Sequence, residues 1–356
     1  MKKDKIFDLL RYRIFSYYKE AIEIRSGGMP KPRVVIYHPT YICNHNCPGC
    51  DFRKQNKEYR MALSRENATR VIDQIICFGI EGIEFAGGGE PLMYPYIVED
   101  VTRLHNAGVA VSLITNGSYL EGKVLETFIK YGNYIRISLE AGTKEVFNKV
   151  KGLKSSGEFD KIIGNIKKTA ELRNRINKNL DISLKFTVGR FNHHDMENAI
   201  RLAIILKVDS IQFKLYENVD NIEVHKEGDG YLQHGIDDVQ KKLIALKMTY
   251  GDKIRILGNL QKTKMKCSCW LNPIYSVIDA FGDIYICSYY RHRMNEHKLG
   301  SLLKNTYEEI WFSAEHMKRL KKIKKSDCNK YDCRFHIYND VMNEIMSSEK
   351  NYLKFI

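Results

Sequence analysis

No apolar run in these 356 residues approaches the length that crosses a bilayer, and the opening Met1-Lys-Lys-Asp-Lys-Ile-Phe-Asp contains no uninterrupted apolar core. A membrane span and a secretory signal are therefore not expected, and the chain reads as cytoplasmic. Internal repeats and low-complexity tracts are missing too, so solenoid and disordered classes drop out; the 44% hydrophobic content suits an ordinary globular protein. A basic stripe interleaved with aromatics is also lacking. The formal charge of +14 is spread along the chain, and its densest run, Lys318 to Lys325, reads as the solvated face of a helix. Nucleic acid is thus not an expected partner, whereas an anionic small substrate or an acidic partner suits the charge.

Nine cysteines are present, at 43, 47, 50, 77, 267, 269, 287, 328 and 333. Without a secretory signal they are expected to act as ligands or catalysts rather than to form disulfides. They fall into two clumps, with Cys77 apart inside a helical pattern, where a buried structural thiol is expected. The first clump is Cys43-Asn-His-Asn-Cys47-Pro-Gly-Cys50. It directly follows the strand-like run Val34–Tyr37, and Pro48-Gly49 keeps its last turn out of regular helix. An iron–sulfur cube needs one ligand for each of four irons. Three thiolates with no fourth nearby suit a cube with one iron open to another group. The alternative is a zinc knuckle completed by His45 or a distant ligand.

Residues 1–30 carry Ile6, Leu9, Leu10, Ile14, Tyr18 and Ile22 at helical spacing, which predicts one amphipathic helix packed on the next domain. Strand-like runs then alternate with helical patterns through residue 217: Val34–Tyr37, Gly82–Ala86, Val109–Ile114, Tyr134–Leu139, Ile182–Val188 and Ser210–Leu215. Six such repeats argue for parallel βα units, too few for a closed eightfold barrel. A partial barrel and an open doubly wound sheet both fit, and in either shape function collects at the carboxyl ends of the strands. Residues 218–262 read as a connector with one helix (236–248). Residues 263–340 read as a smaller unit opening on a hairpin around Ile274–Ile286 with its turn at Phe281-Gly282-Asp283, and 341–356 as a helical tail.

Further motifs follow the strands. Gly87-Gly88-Gly89-Glu90-Pro91 after the second strand would let backbone approach a ligand closely while Glu90 offers a carboxylate to a cation; a tight turn is the plainer reading. Thr115-Asn116-Gly117 and Ser138-Leu139-Glu140 end the third and fourth strands, where polar side chains at a barrel mouth can bond a cofactor's ribose or carboxylate. Asn116 reads equally well as a left-handed turn residue. Lys185 and Lys214 stand within apolar strands, a costly location unless each meets a counter-charge or lies at a strand end. In the second clump, Cys269, Cys287, Cys328 and Cys333 can form a closed four-thiolate cage, with a zinc ribbon as the alternative.

The first clump, taken with Gly88-Gly89-Glu90 and the two strand ends, resembles radical S-adenosylmethionine (radical SAM) enzymes. The resemblance implies a partial (β/α)6 TIM-like barrel whose cluster, held by Cys43, Cys47 and Cys50, binds S-adenosylmethionine at its open iron. It further implies cofactor contacts at Gly88, Gly89, Glu90, Asn116, Ser138, Glu140 and Lys185; Glu140 stands where the family commonly has Asp. The second clump, with Gly300-Ser-Leu, Tyr307-Glu-Glu-Ile-Trp311 and Cys333-Arg334, resembles the SPASM/Twitch extension, an α+β unit. Five cysteines fit the one-cluster Twitch form, with Cys269, Cys287, Cys328 and Cys333 as ligands of one auxiliary [4Fe–4S] cluster. Cys267 is then left over, either as a spare thiol or as a hydrogen-atom donor to a substrate radical.

Resemblance to one-cluster relatives of aminoglycoside pathways makes oxidation or epimerisation of a sugar or cyclitol the first expectation. Modification of a ribosomal peptide is the second; the thirty residues before the barrel are too few for a leader-binding winged helix. A non-catalytic iron–sulfur or zinc scaffold is the third. A flavodoxin or ferredoxin is the implied electron donor.

Overall fold

Among the described residues ten strands form a single sheet in the order β10 (Lys298–Ser301), β9 (Asp283–Tyr285), β8 (Tyr275–Ile278), β1 (Val34–Tyr37), β2 (Gly82–Phe85), β3 (Ala110–Thr115), β4 (Gly132–Ser138), β5 (Asp181–Val188), β6 (Ser210–Leu215) and β7 (Arg255–Leu257). Strands β1 to β6 lie within a residue or two of the runs read from sequence. Each is parallel to the next. The sheet ends on β10 and β7 and does not close on itself, which is the partial barrel rather than the full one. This is a computed structural model; it describes residues 11–154, 157–216, 235–260, 269–323, 333 and 335–347.

Parallel strands bury both faces, so their outer residues pack on helices while the inner ones face a lumen. In β2, Ile83 and Phe85 are buried and Glu84 between them is half-buried. The covering helices begin and end where their caps dictate. Ser64 Oγ accepts from Asn67 N to start helix Arg65–Phe78, and Gly79, at φ 85°, stops it. Its buried face is Val71, Ile72, Ile75 and Phe78. Cys77 points the other way and is exposed, contrary to the buried thiol expected. A helical stripe leaves every fourth position outside, and Cys77 lies there.

Two stretches differ from the sequence reading. The connector holds helix Ile236–Tyr250 and also a three-residue strand, β7 (Arg255–Leu257), which extends the sheet parallel to β6. Three residues show no period, so the strand leaves no signal in the sequence. Strand β8 (Tyr275–Ile278) pairs in parallel with β1, while β9 (Asp283–Tyr285) and β10 (Lys298–Ser301) follow antiparallel. The C-terminal unit therefore continues the barrel sheet. Tyr307 stacks on Phe78 with ring centroids 4.4 Å apart, and Trp311 Nε1 donates to Pro30 O at 2.8 Å.

At the N-terminus, a 3-10 turn (Arg11–Tyr17) leads into helix Tyr18–Arg25. Ile14 and Ala21 are buried against Val341 and Met342 of helix His336–Ser347, whereas Tyr18 and Ile22 are exposed. The change of helical pitch rotates the expected apolar stripe off the contact face. Among the described residues no helix is long and apolar enough to cross a membrane.

Candidate active site

The loop after β1 carries the three thiols. Cys50 N donates to Cys47 O at 3.1 Å and Arg53 N to Cys50 O at 3.0 Å, turning the chain into helix Arg53–Glu58. Burial pushes the Cys43 thiol up to about 11 and raises Cys47 and Cys50 as well. Such thiols hold protons unless a metal replaces them. The βα loop after β2 presses on this turn: a Cβ on Gly89 would stand 2.1 Å from Ile42 O, and one on Gly88 2.7 Å from the Tyr41 ring. Only glycine permits that approach. Tyr216, just past β6, closes the other side by donating to Gly49 O.

Both loops border a cavity of about 310 Å³. Every strand from β1 to β6 contributes to its lining, through Ile36, Glu84, Ile114 and Thr115, Ser138, Lys185 and Thr187, and Lys214 and Leu215. Cys43, Cys47, Cys50, Gly88, Gly89, Glu90, Asn116 and Glu140 also line it. Every barrel residue singled out as a cluster or cofactor contact is thus brought to one space. Ser288, Tyr289 and Arg291 from the C-terminal unit form the far wall.

Glu90 is fully enclosed and already well supplied with donors. Its Oε1 accepts from Leu92 N (3.1 Å) and Thr115 Oγ1 (2.5 Å), and its Oε2 from Asn116 N (2.8 Å). Desolvation nevertheless outweighs these bonds and pushes its pKa up to about 7. A cation in the cavity would restore the charged form. Asn116 does not occupy the left-handed turn position; Gly117 does, at φ 88°. The Asn116 side chain instead donates to Asn44 Oδ1 (2.8 Å) and accepts from Ser118 N (2.9 Å). It thereby ties the cysteine loop to the end of β3. Asn44 also donates to Ser118 Oγ at 2.9 Å.

His45 turns away from the thiols. Its Nε2 lies 3.3 Å from Glu158 Oε1 and 3.4 Å from Ser118 Oγ, and burial lowers its pKa to about 4. Among the described residues no three His, Cys, Asp or Glu side chains converge tightly enough for a single metal ion. A cube, whose ligands stand on separate irons, is the group that three spaced thiols fit.

Glu140 adopts φ 63°, in the left-handed region. Its carboxylate accepts from Lys151 Nζ at 3.1 Å and Thr187 Oγ1 at 2.9 Å, and Lys151 Nζ also donates to Ser138 O at 2.8 Å. Burial works against both charges, but their mutual attraction wins: Glu140 is held below its usual range and Lys151 above. Sequence reasoning missed Lys151, which sits near the end of a charged helix (Lys144–Lys151) and reads as one of its solvated lysines. It also missed Arg291, which is buried, bonded to Asp51 Oδ2 at 2.6 Å and to Ser288 O at 2.6 Å, and set 4.9 Å from the Tyr289 ring. Gln55 Nε2 donates to Arg291 O at 2.7 Å. The C-terminal wall is thereby pinned to the residues just past Cys50.

In the C-terminal unit, Cys269 and Cys287 pack against one buried cluster, and Cys287 and Cys333 both pack on Tyr289. All three are half-buried. Cys328, Arg334 and Cys267 lie outside the described residues, as do residues 1–10 of the N-terminal stripe. The donor set that is described, thiols within an apolar shell, fits an iron–sulfur group.

Comparison with known proteins gives two family matches. The radical SAM superfamily matches residues 37–203, and an iron–sulfur cluster-binding domain, SPASM, matches residues 267–334. Fe-coproporphyrin III synthase of Methanosarcina barkeri is 27% identical over 207 residues, 58% of this chain and 49% of that protein. PqqA peptide cyclase of Ruegeria pomeroyi is 28% identical over 188 residues, 51% of this chain and 48% of that protein. The chain therefore spans about half the length of these curated relatives. Among solved structures, SuiB of Streptococcus suis bound to its precursor peptide SuiA superposes with TM-score 0.65 at 14% identity, covering 92% of this chain and 75% of that one. Native anSMEcpe with bound AdoMet and the Cp18Cys peptide gives TM-score 0.61 at 18% identity, covering 86% of this chain and 88% of that one. These likenesses concern the fold.

Proposed function

Because the chain carries a radical SAM domain followed by a SPASM-type iron–sulfur domain, we propose that it is a radical enzyme that modifies a peptide. The observation that carries this reading is the convergence of Cys43, Cys47, Cys50 and Glu90 on one cavity walled by the C-terminal unit. The two domains imply S-adenosylmethionine, a [4Fe–4S] cluster and auxiliary iron–sulfur chemistry. Bound there, S-adenosylmethionine and the cluster would supply one-electron radical chemistry at an unactivated C–H bond.

The chain's own residues then have five tasks. Cys43, Cys47 and Cys50 would hold the catalytic cluster. Glu90, ringed by donors, receives the cofactor's ammonium, while Gly88, Gly89 and the polar groups at 116, 138 and 185 shape its bed. Lys151 keeps Glu140 ionised and in place. Arg291, Tyr289 and Ser288 close the cavity and exclude water from the reacting bond. Cys269, Cys287, Cys328 and Cys333 hold one auxiliary [4Fe–4S] cluster, and a flavodoxin or ferredoxin supplies electrons.

A peptide substrate is favoured over the sugar or cyclitol first expected, which the comparisons do not support. A curated relative is named for cyclising a peptide, and SuiB and anSMEcpe were each solved with a peptide bound. The short N-terminal segment carries no weight against this reading. Anaerobic reconstitution with iron and sulfide, followed by S-adenosylmethionine and dithionite, should release 5′-deoxyadenosine. The Cys43→Ala, Cys47→Ala, Cys50→Ala triple variant should release none while retaining auxiliary-cluster iron. Intact cofactor in the unmodified enzyme would refute the chemistry. Short peptides encoded beside the gene should change mass on incubation; if none does and a carbohydrate turns over, the peptide reading fails.

A further inference from the structure

The wall that carries Cys287 contains a second buried group for which the reaction has no use yet. Cys287 lies two residues past the end of β9, and Lys298 at the start of β10 pairs with Tyr285 across the antiparallel ladder. Ile286 N donates to His297 O at 3.0 Å, so the backbone sets residue 297 opposite Ile286, the residue before Cys287. His297 is 4% exposed, and its Nδ1 lies 3.7 Å from Cys287 Sγ. The same sulfur accepts from Tyr289 N at 3.3 Å. Sulfur lone pairs are diffuse and their hydrogen bonds are long, so both contacts are of bonding length.

We propose that His297 donates a hydrogen bond from Nδ1 to the Cys287 sulfur and thereby raises the reduction potential of the auxiliary cluster, fitting it to accept an electron. The inference rests on the reading of Cys287 as a cluster ligand. A role for His297 as a ligand itself does not fit the geometry. Each iron of a cube takes one protein ligand at its own corner, and a nitrogen in contact with a ligand sulfur belongs to the layer outside. Donors to a ligating thiolate withdraw negative charge from it. The reduced cluster, carrying one more electron, gains more from that withdrawal than the oxidised one, so the midpoint moves positive. The pairing of β9 with β10 makes the contact rigid, and burial keeps water from replacing it. Tyr289 N is a backbone donor that any residue would supply; His297 is the part of the arrangement that sequence can vary.

The test uses the full chain in the Cys43→Ala, Cys47→Ala, Cys50→Ala background, where the auxiliary cluster is the only one. An EPR-monitored redox titration should give a more negative midpoint for His297→Phe. His297→Gln, whose amide can still donate, should recover part of the shift. A purely space-filling histidine would leave the midpoint unmoved in both, which overturns the proposal. If His297→Phe fails to retain its cluster, the enzyme grown with 15N-histidine decides: a nitrogen coupling on the auxiliary signal supports the hydrogen bond, and its absence overturns it. Cys287→Ala separates the underlying reading, because an auxiliary signal that survives that change removes Cys287 as a ligand whatever His297 does.

Discussion

Replacing Lys151 with Met should be among the most damaging single changes near the cavity that spare the thiols. The Lys151 side chain is 4% exposed and that of Glu140 15%, and they meet at 3.1 Å. Removing one partner of a buried pair leaves an uncompensated charge and costs about 3–5 kcal/mol. The residual exposure of Glu140 and its bond from Thr187 place Lys151→Met near the lower end, about 3 kcal/mol. Glu140→Gln in that background removes the stranded charge and should recover about 2 kcal/mol, because contacting residues couple rather than add. Anaerobic urea denaturation of the apo chain, followed by circular dichroism at pH 7, reads both values. The pH dependence has a defined sign. Glu140 is depressed from 4.5, so its contribution is full above that value and fades as pH falls through its folded pKa. Lys151 is raised from 10.5, so its share is full below that value and fades as pH rises through its folded pKa. The difference between wild type and Lys151→Met should therefore shrink as pH falls, beginning where Glu140, raised by burial once Lys151 is gone, takes up a proton in the variant. A Lys151→Met variant within about 0.5 kcal/mol of wild type, or a double variant in which the two losses simply add, would refute the pairing.

Three further outcomes follow from the site. Glu90, raised from 4.5 to about 7, loses folding stability as pH rises through 7, and a bound ammonium returns it. S-adenosylmethionine should thus bind more tightly as pH climbs through about 7, and Glu90→Gln should bind it roughly tenfold or more weakly with a flat profile, read by equilibrium dialysis. Asn116→Ala should release the cysteine loop from β3 at a cost of about 1–2 kcal/mol. Iron lost to a chelator should then come from the catalytic site and leave the auxiliary cluster intact. Brief iodoacetamide treatment of the loaded enzyme should alkylate exposed Cys77 without loss of iron; a second label at Cys267 would mark it as a free thiol, and none there would argue that it is a ligand.

The parts of this protein that could be read along the chain are those whose chemistry needs neighbours in sequence. Three sulfurs must meet within one short loop, so Cys43, Cys47 and Cys50 stand together. Gly88-Gly89-Glu90 must form a turn, and the six parallel strands each need a contiguous apolar run. Helix Arg65–Phe78 starts at Ser64 and stops at Gly79 through equally local contacts, since caps act through nearby backbone. The tertiary structure alone decided the rest. Asn116 serves as a clamp because Asn44, far away in sequence, arrives beside it. Lys151 is buried because Glu140 takes an unusual backbone angle and turns its carboxylate inward. Arg291 reaches Asp51 across 240 positions, and β8 joins β1 because an edge strand of the barrel had backbone groups to satisfy. Pairing across such separations leaves no period, spacing or composition behind, since many sequences satisfy it once the fold has brought the partners together.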